Sequence, residues 1–382
     1  MTIPGFILRN ALRNKRRLIL TVLSVAISLF LLTILLTALK LMTEPPTTDQ
    51  ASLRIVTRHR VSLANVLPEK YQYRIERMPG VEHVSKFTWL GGIYIDEASS
   101  NFAQFACDAD RIFRIFPEAV VDPRQEETFV KEKNSCVVGR KLLERFRWKL
   151  GDRITFQAGL WPCDVELVIR GVYHSEGLDE TLVFFHHDYL DELLGRRGMV
   201  GTFWIKVANA DVIPDLIARV DAAFHNTDAE TKTETERAFQ LGFISMMGNV
   251  KLFIGSICTV IVFTMLLVTA STMAMAIRER LREISVLKAL GFTGMMIFTL
   301  ILAESCGLAL AGGVLGCFGA KILAETLDVY KLSRGFLPMF PVSAEILTVG
   351  MLVALGLGVG SSLVPAYTSI RTPVVTGLKE LD

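Results

Sequence analysis

The sequence predicts an α-helical membrane protein with four transmembrane helices and a large extracytoplasmic α+β domain inserted between helices 1 and 2. Four long apolar runs can each cross the hydrocarbon core of a bilayer: Leu18–Leu39, Leu252–Ile277, Ala289–Ala320 and Ile346–Ile370. The long stretch between the first and second runs has no apolar segment of that length, and strand-type and helix-type patterns alternate along it. A mean hydropathy of +0.40 over 382 residues favours this class over a soluble protein.

The N-terminal segment, residues 1–17, is predicted to be a cytoplasmic amphipathic basic helix. Its bases are Arg9, Arg13, Lys15, Arg16 and Arg17, and it contains no acid. Such a helix lies in the membrane surface with its bases toward anionic headgroups. Residues 18–41 are predicted to be transmembrane helix 1. A cleaved signal peptide is the alternative, but its apolar core would be shorter and would end at a small-residue cleavage site.

Residues 42–232 are predicted to form the extracytoplasmic domain, which is large enough for its own core. Residues of β-type composition predict strands at Leu53–Val56, Val84–Leu90, Gly92–Asp96, Phe102–Ala106, Cys136–Gly139, Arg153–Gln157, Val165–Val172, Thr181–Phe185 and Thr202–Val207. Helical spacing predicts helices at Glu69–Met78, Asp110–Phe116, Arg140–Phe146, His187–Leu194 and Val212–His225. This mixed order indicates an α+β domain, with two lobes expected.

The remaining boundaries follow from apolar spacing and charge. Residues 233–277 are predicted to be a stalk that continues into transmembrane helix 2, because the helical spacing of Glu234–Lys251 runs directly into the second apolar run. One continuous helix is therefore expected there. The other expected segments are a short cytoplasmic charged helix at 278–291, transmembrane helix 3 at 292–320, an extracytoplasmic loop at 321–344, transmembrane helix 4 at 345–370 and a cytoplasmic tail at 371–382.

The most informative short stretch is Arg278–Gly291, which we call the charged segment. It lies between two apolar runs and is therefore a tight turn on one face of the bilayer. Ile277, Leu281 and Ile284 recur at helical spacing, so one side can face apolar surface while the charges face water or a partner. Gly291 suits a helix C-cap, and Thr293 suits the N-cap of the next helix. The alternative is a solvated turn with snorkelling arginines.

Basic residues predict the orientation of the chain. Residues 1–17 carry only bases, and the charged segment has more bases than acids. With four spans both lie on the same side of the membrane, and the positive-inside rule places them in the cytoplasm. Both termini are then cytoplasmic and residues 42–232 lie outside.

Recognisable catalytic and ligand-binding motifs are absent from the sequence. It contains no GxxxxGK[ST] loop, no GxSxG and no HExxH, so the chain is expected to be non-catalytic and no ATPase of the P-loop kind. A formal net charge of +2 gives no support for nucleic-acid binding. His186 and His187 are adjacent and are interpreted as a surface pair rather than joint metal ligands. Among the six cysteines, Cys107, Cys136 and Cys163 lie in the polar region, where one disulfide is possible.

The third apolar run carries small residues and one acid. Gly312, Gly316 and Ala320 form a small-xxx-small line, which lets helix backbones approach closely. Packing within one chain is favoured over dimerisation of two chains. Glu304 is the acid, and an intramembrane carboxylate is a candidate for ion coupling or for a structural bond to a neighbouring helix. The structural bond is favoured, because no charged residue faces it from another apolar run.

This layout resembles the MacB/FtsX-like (type VII) ABC transporter permeases over nearly the whole chain. RERLREISVLKALGFTG (Arg278–Gly294) looks like the family's charged segment between its second and third membrane helices. ILAESCGLALAGGVLG at 301–316 has the family's early glutamate followed by small residues. PGVEHVS at 79–85, VVGRKLLERFRWKLGDRI at 137–154 and VIRGVY at 168–173 look like its MacB-like periplasmic domain, and PAYTSIRTPVVTGLKEL at 365–381 looks like its ending. The order of these motifs is more specific than any one of them.

The resemblance implies a permease subunit that couples ATP hydrolysis by a separate ATPase to movement of its extracytoplasmic domain, for export or lipoprotein extrusion. It implies ATP-Mg on the partner ATPase and no cofactor in this chain. Implied partners are an ABC ATPase subunit, a second permease subunit, membrane lipid and a periplasmic adaptor or substrate protein, in the cell inner membrane. The implied ATPase-coupling residues are Arg278, Glu279, Arg280, Leu281, Arg282, Glu283, Ile284, Leu287, Lys288 and Gly291.

Two other functions remain open at this stage. One is an FtsX-like transmembrane regulator that activates an extracytoplasmic enzyme without transport. The other is a membrane-anchored sensor with no ATPase. The MacB type fuses its ATPase to the permease, and this chain departs from that pattern.

Overall fold

The computed structural model describes residues 15–43, 50–96, 100, 102–175, 178–246, 249–326 and 342–371. These divide into two compact units. The membrane unit comprises 15–43, 249–326 and 342–371, and the inserted domain comprises the described residues between 50 and 246. Most of the predicted N-terminal helix, most of the loop at 321–344 and nearly all of the tail at 371–382 lie outside the described residues.

The described elements are numbered in chain order. The helices are α1 (Lys15–Thr43), α2 (Tyr71–Glu76), α3 (Ile112–Ile115), α4 (Pro123–Lys131), α5 (Arg140–Phe146), α6 (His187–Leu193), α7 (Ile213–Ala223), α8 (Glu236–Met246), α9 (Val250–Glu279), α10 (Leu281–Ala289), α11 (Gly294–Thr326) and α12 (Ala344–Arg371). The strands are β1 (Arg54–His59), β2 (Leu67–Pro68), β3 (Val81–Trp89), β4 (Ala103–Cys107), β5 (Val120–Val121), β6 (Ser135–Gly139), β7 (Arg153–Phe156), β8 (Val165–His174), β9 (Leu182–His186), β10 (Met199–Val200), β11 (Thr202–Val207) and β12 (Thr231–Thr235).

The inserted domain is built on a ten-stranded mixed sheet in the order β12-β1-β11-β3-β4-β9-β6-β8-β5, with β7 paired to β8. β4 and β9 are parallel, as are β6 and β8, and the other pairs are antiparallel. Phe184 and Phe185 of β9 are adjacent and enter two different apolar clusters, because successive strand residues point to opposite faces. The central strands are therefore covered on both faces. In chain order, this mixed helix–strand domain follows the first membrane helix and precedes the second, as predicted.

The membrane unit contains four helices with the length and hydropathy to cross a bilayer, α1, α9, α11 and α12, among the residues described. Helix α11 packs along both α1 and α12. One apolar cluster surrounds Leu29, Cys317 and Leu357, and a second surrounds Ile277 and Ile284 at the charged segment. These four helices are the four runs expected from the sequence, because the bilayer thickness sets their length.

The prediction of one continuous helix through Glu234–Ile277 is wrong. Glu234 lies in β12, which pairs with β1, and the Thr233 and Thr57 hydroxyls are 3.0 Å apart. Helix α8 ends at Met246 and α9 begins at Val250, where the Leu252 N–H donates to Asn249 Oδ1 at 3.3 Å. Alternating threonines favour a strand, and asparagine is a strong N-cap. The threonines of β12 and the Asn249 cap are both visible in the sequence. The helical spacing of apolar residues continues through these positions, however, and for that reason it suggests a single helix.

Two smaller differences concern the inserted domain. The predicted strand Gly92–Asp96 is only an isolated bridge from Ile93 to Gln157. Helix α4 was not predicted, although Asp122 accepts from the Arg124 N–H at 2.8 Å and Pro123 occupies the first helical position. An aspartate followed by proline is a common start of a helix, so this signal was available.

The small residues of α11 face α1 of the same chain. A Cβ built on Gly312 would lie 2.7 Å from Val25 Cγ1, and one built on Gly316 would lie 2.4 Å from the Ala26 carbonyl oxygen. Ala320 is buried on the same line. These glycines therefore allow two helices of one chain to approach closely, which is the alternative favoured from the sequence.

Changing Gly316 to valine should force α1 away from α11. We expect a loss of about 1–3 kcal/mol in stability, as for other overpacked cores, seen as a lower melting temperature in detergent. Gly307→Val on the same helix is the matched control, because a Cβ at Gly307 has no described atom within 4 Å. Equal melting temperatures for the two variants would contradict the assigned packing.

Candidate functional site

The charged segment is a short helix with defined ends. Helix α9 ends at Glu279, Arg280 breaks the helical path, and α10 follows. At the other end the Gly291 N–H donates to the Lys288 carbonyl at 3.1 Å and the Phe292 N–H to the Leu287 carbonyl at 3.1 Å. This is the Schellman pattern, which needs a residue with positive φ, and Gly291 has φ +94°. The predicted C-cap at Gly291 is therefore present.

An ion pair joins the charged segment to α11. Arg280 Nη1 donates to Glu304 Oε1 at 2.9 Å and to Oε2 at 2.8 Å, and Glu304 is buried. The pair is not among the contacts predicted from the sequence, because Arg280 lies in the charged segment and not in another apolar run. A buried carboxylate in a membrane helix requires a cation at hydrogen-bond distance, and the charged segment carries the nearest bases in the chain. Glu304 thus makes the structural bond that the sequence favoured.

A second polar contact joins the segment to α12. Lys288 Nζ donates to the Ser369 carbonyl at 3.0 Å and to the Ile370 carbonyl at 2.9 Å. These carbonyls belong to the last turn of α12, where the helix leaves acceptors without intrahelical partners. A lysine there also complements the negative end of the helix dipole. Nothing in the local sequence pattern indicates this contact.

The apolar side of α10 packs inside the membrane unit. Ile284 is only 8% exposed and contacts a cluster formed by residues of α9, α11 and α12, such as Ile277, Ile297 and Ala366. A groove of about 480 Å³ lies beside this cluster, with Arg280, Glu304 and residues of α10 in its wall. The burial of Ile284 means that it holds α10 in place and does not offer a surface to another protein.

The outer side of α10 is exposed. Arg282, Val286 and Leu290 recur at a spacing of four residues, which places them along one side of the helix. Val286 is 48% exposed and Leu290 is 72% exposed. Arg278 and Glu279, at the end of α9, are also exposed, whereas Leu281, Glu283 and Leu287 are half-buried. Val286 and Leu290 are not among the coupling residues that the family resemblance implies, although they share the helical spacing of Arg282.

The two adjacent histidines of the inserted domain are buried, so their interpretation as a surface pair is wrong. His186 Nε2 is 2.6 Å from the Phe129 carbonyl oxygen, and His187 Nε2 is 3.2 Å from the Met199 carbonyl oxygen. Burial lowers the pKa of both imidazoles. They point to different neighbours because His186 ends a strand and His187 begins a helix.

Two family models together match most of this chain. The family model described as the MacB-like periplasmic core domain matches residues 18–223, and the FtsX-like permease C-terminal model matches residues 255–374. An uncharacterized ABC transporter permease of Methanocaldococcus jannaschii is 23% identical over 315 residues, which cover 79% of this chain and 77% of that protein. The second family match contains the charged segment and the two membrane helices that follow it.

Two solved structures are similar to part of this chain. The periplasmic region of MacB from Actinobacillus actinomycetemcomitans has 9% identity and a TM-score of 0.38, covering 50% of this chain and 93% of that one. The extracellular domain of the noncanonic ABC-type transporter YknZ from Gram-positive bacteria has 16% identity and a TM-score of 0.35, covering 47% of this chain and 99% of that one. On the evidence of the two family matches, this multi-pass membrane protein belongs to the MacB/FtsX-like family of ABC transporter permeases.

Proposed function

We propose that this chain is the non-catalytic transmembrane subunit of a transporter. It transmits the conformational change that ATP hydrolysis causes in a separate ATPase to its own inserted domain. The supporting observation is the two-sided character of α10. Its inner side is held to α9, α11 and α12 by Ile284, and its outer side exposes an apolar stripe with Arg282. A partner that binds the outer side can therefore move α10, and the contacts of the inner side transmit that movement to several membrane helices.

The proposed ATPase-docking surface is Arg282, Val286 and Leu290. Ile284 and Lys288 lie on the inner side of α10 and hold it to the membrane helices. Arg280 transmits movement of the charged segment to α11 through its ion pair with Glu304. ATP-Mg binds to the partner ATPase and not to this chain. Movement of the inserted domain then drives export or the release of a lipoprotein or other substrate.

We further propose a subunit composition and a membrane orientation for the complete transporter. Two permease subunits, identical or different, pair with each other, and each docks on a separate ATPase subunit in the cytoplasm. A periplasmic adaptor or substrate protein binds the inserted domain. The chain lies in the cell inner membrane with the charged segment and both termini in the cytoplasm. The excess of bases over acids in the charged segment supports this orientation.

Changing Val286 and Leu290 together to aspartate should strongly weaken binding of the ATPase. Each apolar side chain buried at an interface contributes about 1.5–3 kcal/mol, so affinity should fall more than tenfold. The measurement is copurification of the host's ABC ATPases with the full chain, together with ATPase activity in nanodiscs. Val61→Asp, at an exposed valine of the inserted domain, is the matched control. Unchanged copurification and activity in the double variant would refute the docking surface.

Cysteine labelling tests the orientation. A cysteine at Val61 should react with an impermeant maleimide in intact cells, and a cysteine at the exposed Thr293 only after permeabilisation. The parent for both is the Cys163→Ser variant, and its own labelling is the blank. All six native cysteines are free thiols, and burial raises the pKa of Cys107 and Cys136, so these two should stay unlabelled. Labelling of both probes from one side would reject the arrangement.

A further inference from the structure

Three side chains of the inserted domain form a compact group of possible metal ligands. Glu69, His187 and Asp188 place one ligand atom each within 4.8 Å of the others. Glu69 precedes α2, and the other two residues begin α6. Leu67 and Leu190, close to them in the chain, belong to two different apolar clusters of the domain.

One nitrogen of the His187 ring lacks a hydrogen-bond partner in the part of the chain that the structure describes. Its side chain is only 2% exposed, and Nε2 is 3.2 Å from the Met199 carbonyl oxygen, a contact in which the nitrogen must carry the proton. Nδ1 is then the nitrogen with the lone pair. Among the described residues it has no hydrogen-bond partner, although it is fully buried. A buried acceptor left without a donor is costly, and a bound cation would satisfy it.

The charge around the group is also incompletely balanced. Lys86 Nζ is 2.7 Å from Glu69 Oε1, 3.1 Å from Asp108 Oδ1 and 3.2 Å from Asp188 Oδ1. Three carboxylates around one ammonium leave a formal charge of −2. Each carboxylate has two oxygens, so the contact with Lys86 leaves a further oxygen on Glu69 and on Asp188. The lysine holds these carboxylates in place without using all their acceptors.

We propose that Glu69, His187 and Asp188 bind a divalent metal ion of the zinc type. His187 Nδ1 and one oxygen from each carboxylate supply three ligands, and water completes the coordination, as in other zinc sites with three protein ligands. A mixed nitrogen and oxygen set suits zinc, whereas magnesium prefers oxygen alone. Asp188 is largely exposed, so the ion enters from solvent. The bound ion joins α6 to the segment before α2 and is independent of the proposed transport function.

Zinc binding to the full chain tests the site. The protein is purified in detergent without a polyhistidine tag, stripped with EDTA and dialysed against zinc chloride, and bound zinc is counted by mass spectrometry. We expect about one zinc per chain, with binding at least tenfold weaker in His187→Gln and in Asp188→Asn. At a zinc concentration tenfold above its dissociation constant, the melting temperature of the wild type should rise by about 3–6 °C.

The controls separate this site from adventitious binding. His186→Gln removes the neighbouring buried imidazole, which lies outside the group, and should keep its zinc. Asp188→Asn changes an exposed side chain and keeps the test valid if His187→Gln fails to fold. The proposal is overturned if the wild type binds no zinc in the micromolar range, if Asp188→Asn binds zinc as tightly as the wild type, or if magnesium chloride produces the same rise in melting temperature.

Discussion

The Glu304→Gln variant should lose about 3–5 kcal/mol of stability, because it removes the buried carboxylate that accepts two hydrogen bonds from the Arg280 guanidinium. Arg280 donates to both oxygens of Glu304, and both side chains are shielded from solvent. Thermal unfolding in nanodiscs measures the loss. Stimulation of the partner ATPase should fall as well, since the proposed transmission runs from Arg280 to α11.

A double variant distinguishes a broken ion pair from a dispensable one. Arg280→Met combined with Glu304→Leu removes both charges, and replacing a buried pair by apolar groups is often neutral for stability. We therefore expect its melting temperature to approach that of the wild type while coupling stays impaired. Lys321→Met breaks the half-exposed pair with Glu325 on the same helix and should cost less than about 1 kcal/mol. A wild-type melting temperature for Glu304→Gln would show that the pair contributes nothing.

The Arg54→Met variant should destabilise the inserted domain by a similar amount, about 3–5 kcal/mol. Arg54 is buried at the start of β1, with Nε 2.6 Å from Glu236 Oε2 and Nη2 2.6 Å from Glu118 Oε1. Its guanidinium also lies 4.5 Å from the centre of the Phe116 ring. Without it two carboxylates remain buried together, and the first residue of α8, Glu236, loses its bond to β1.

The pH dependence of this variant carries a definite sign. Burial already raises the pKa of Glu236, while Arg54 lowers it, so the variant's folded-state pKa should rise further. A carboxyl whose pKa is raised by folding destabilises the ionised protein, and the penalty grows as pH rises from the unfolded to the folded pKa. The difference in melting temperature from wild type should therefore be smaller at pH 5 than at pH 7.

The matched control for Arg54 is Arg60→Met. Arg60 follows the same strand and pairs with Glu230 at 2.8 Å, but its side chain is 59% exposed. Exposed pairs contribute roughly 0–1 kcal/mol, so this variant should unfold close to the wild-type temperature. If both arginine variants lost the same stability, burial of the Arg54 cluster would not be the cause.

Elements that depend only on local pattern can be predicted from the amino-acid sequence. The four membrane helices follow from apolar length, which the bilayer thickness dictates. Strand Thr202–Val207 and helix Arg140–Phe146 have the predicted bounds, because side chains that alternate or recur every third and fourth residue specify one local conformation. The cap at Gly291 belongs to the same class, since glycine readily adopts positive φ.

The contacts between separate elements become known only from the folded chain. Spacing along one helix shows that Ile284 and Val286 lie on different sides, but not which side packs inside the chain and which is left exposed. The contacts of Arg280 with Glu304 and of Lys288 with the end of α12 join residues far apart in the chain, so no local period carries them. The side of a helix or strand on which a side chain lies depends only on the local backbone, whereas the residue that it contacts depends on how separate elements pack.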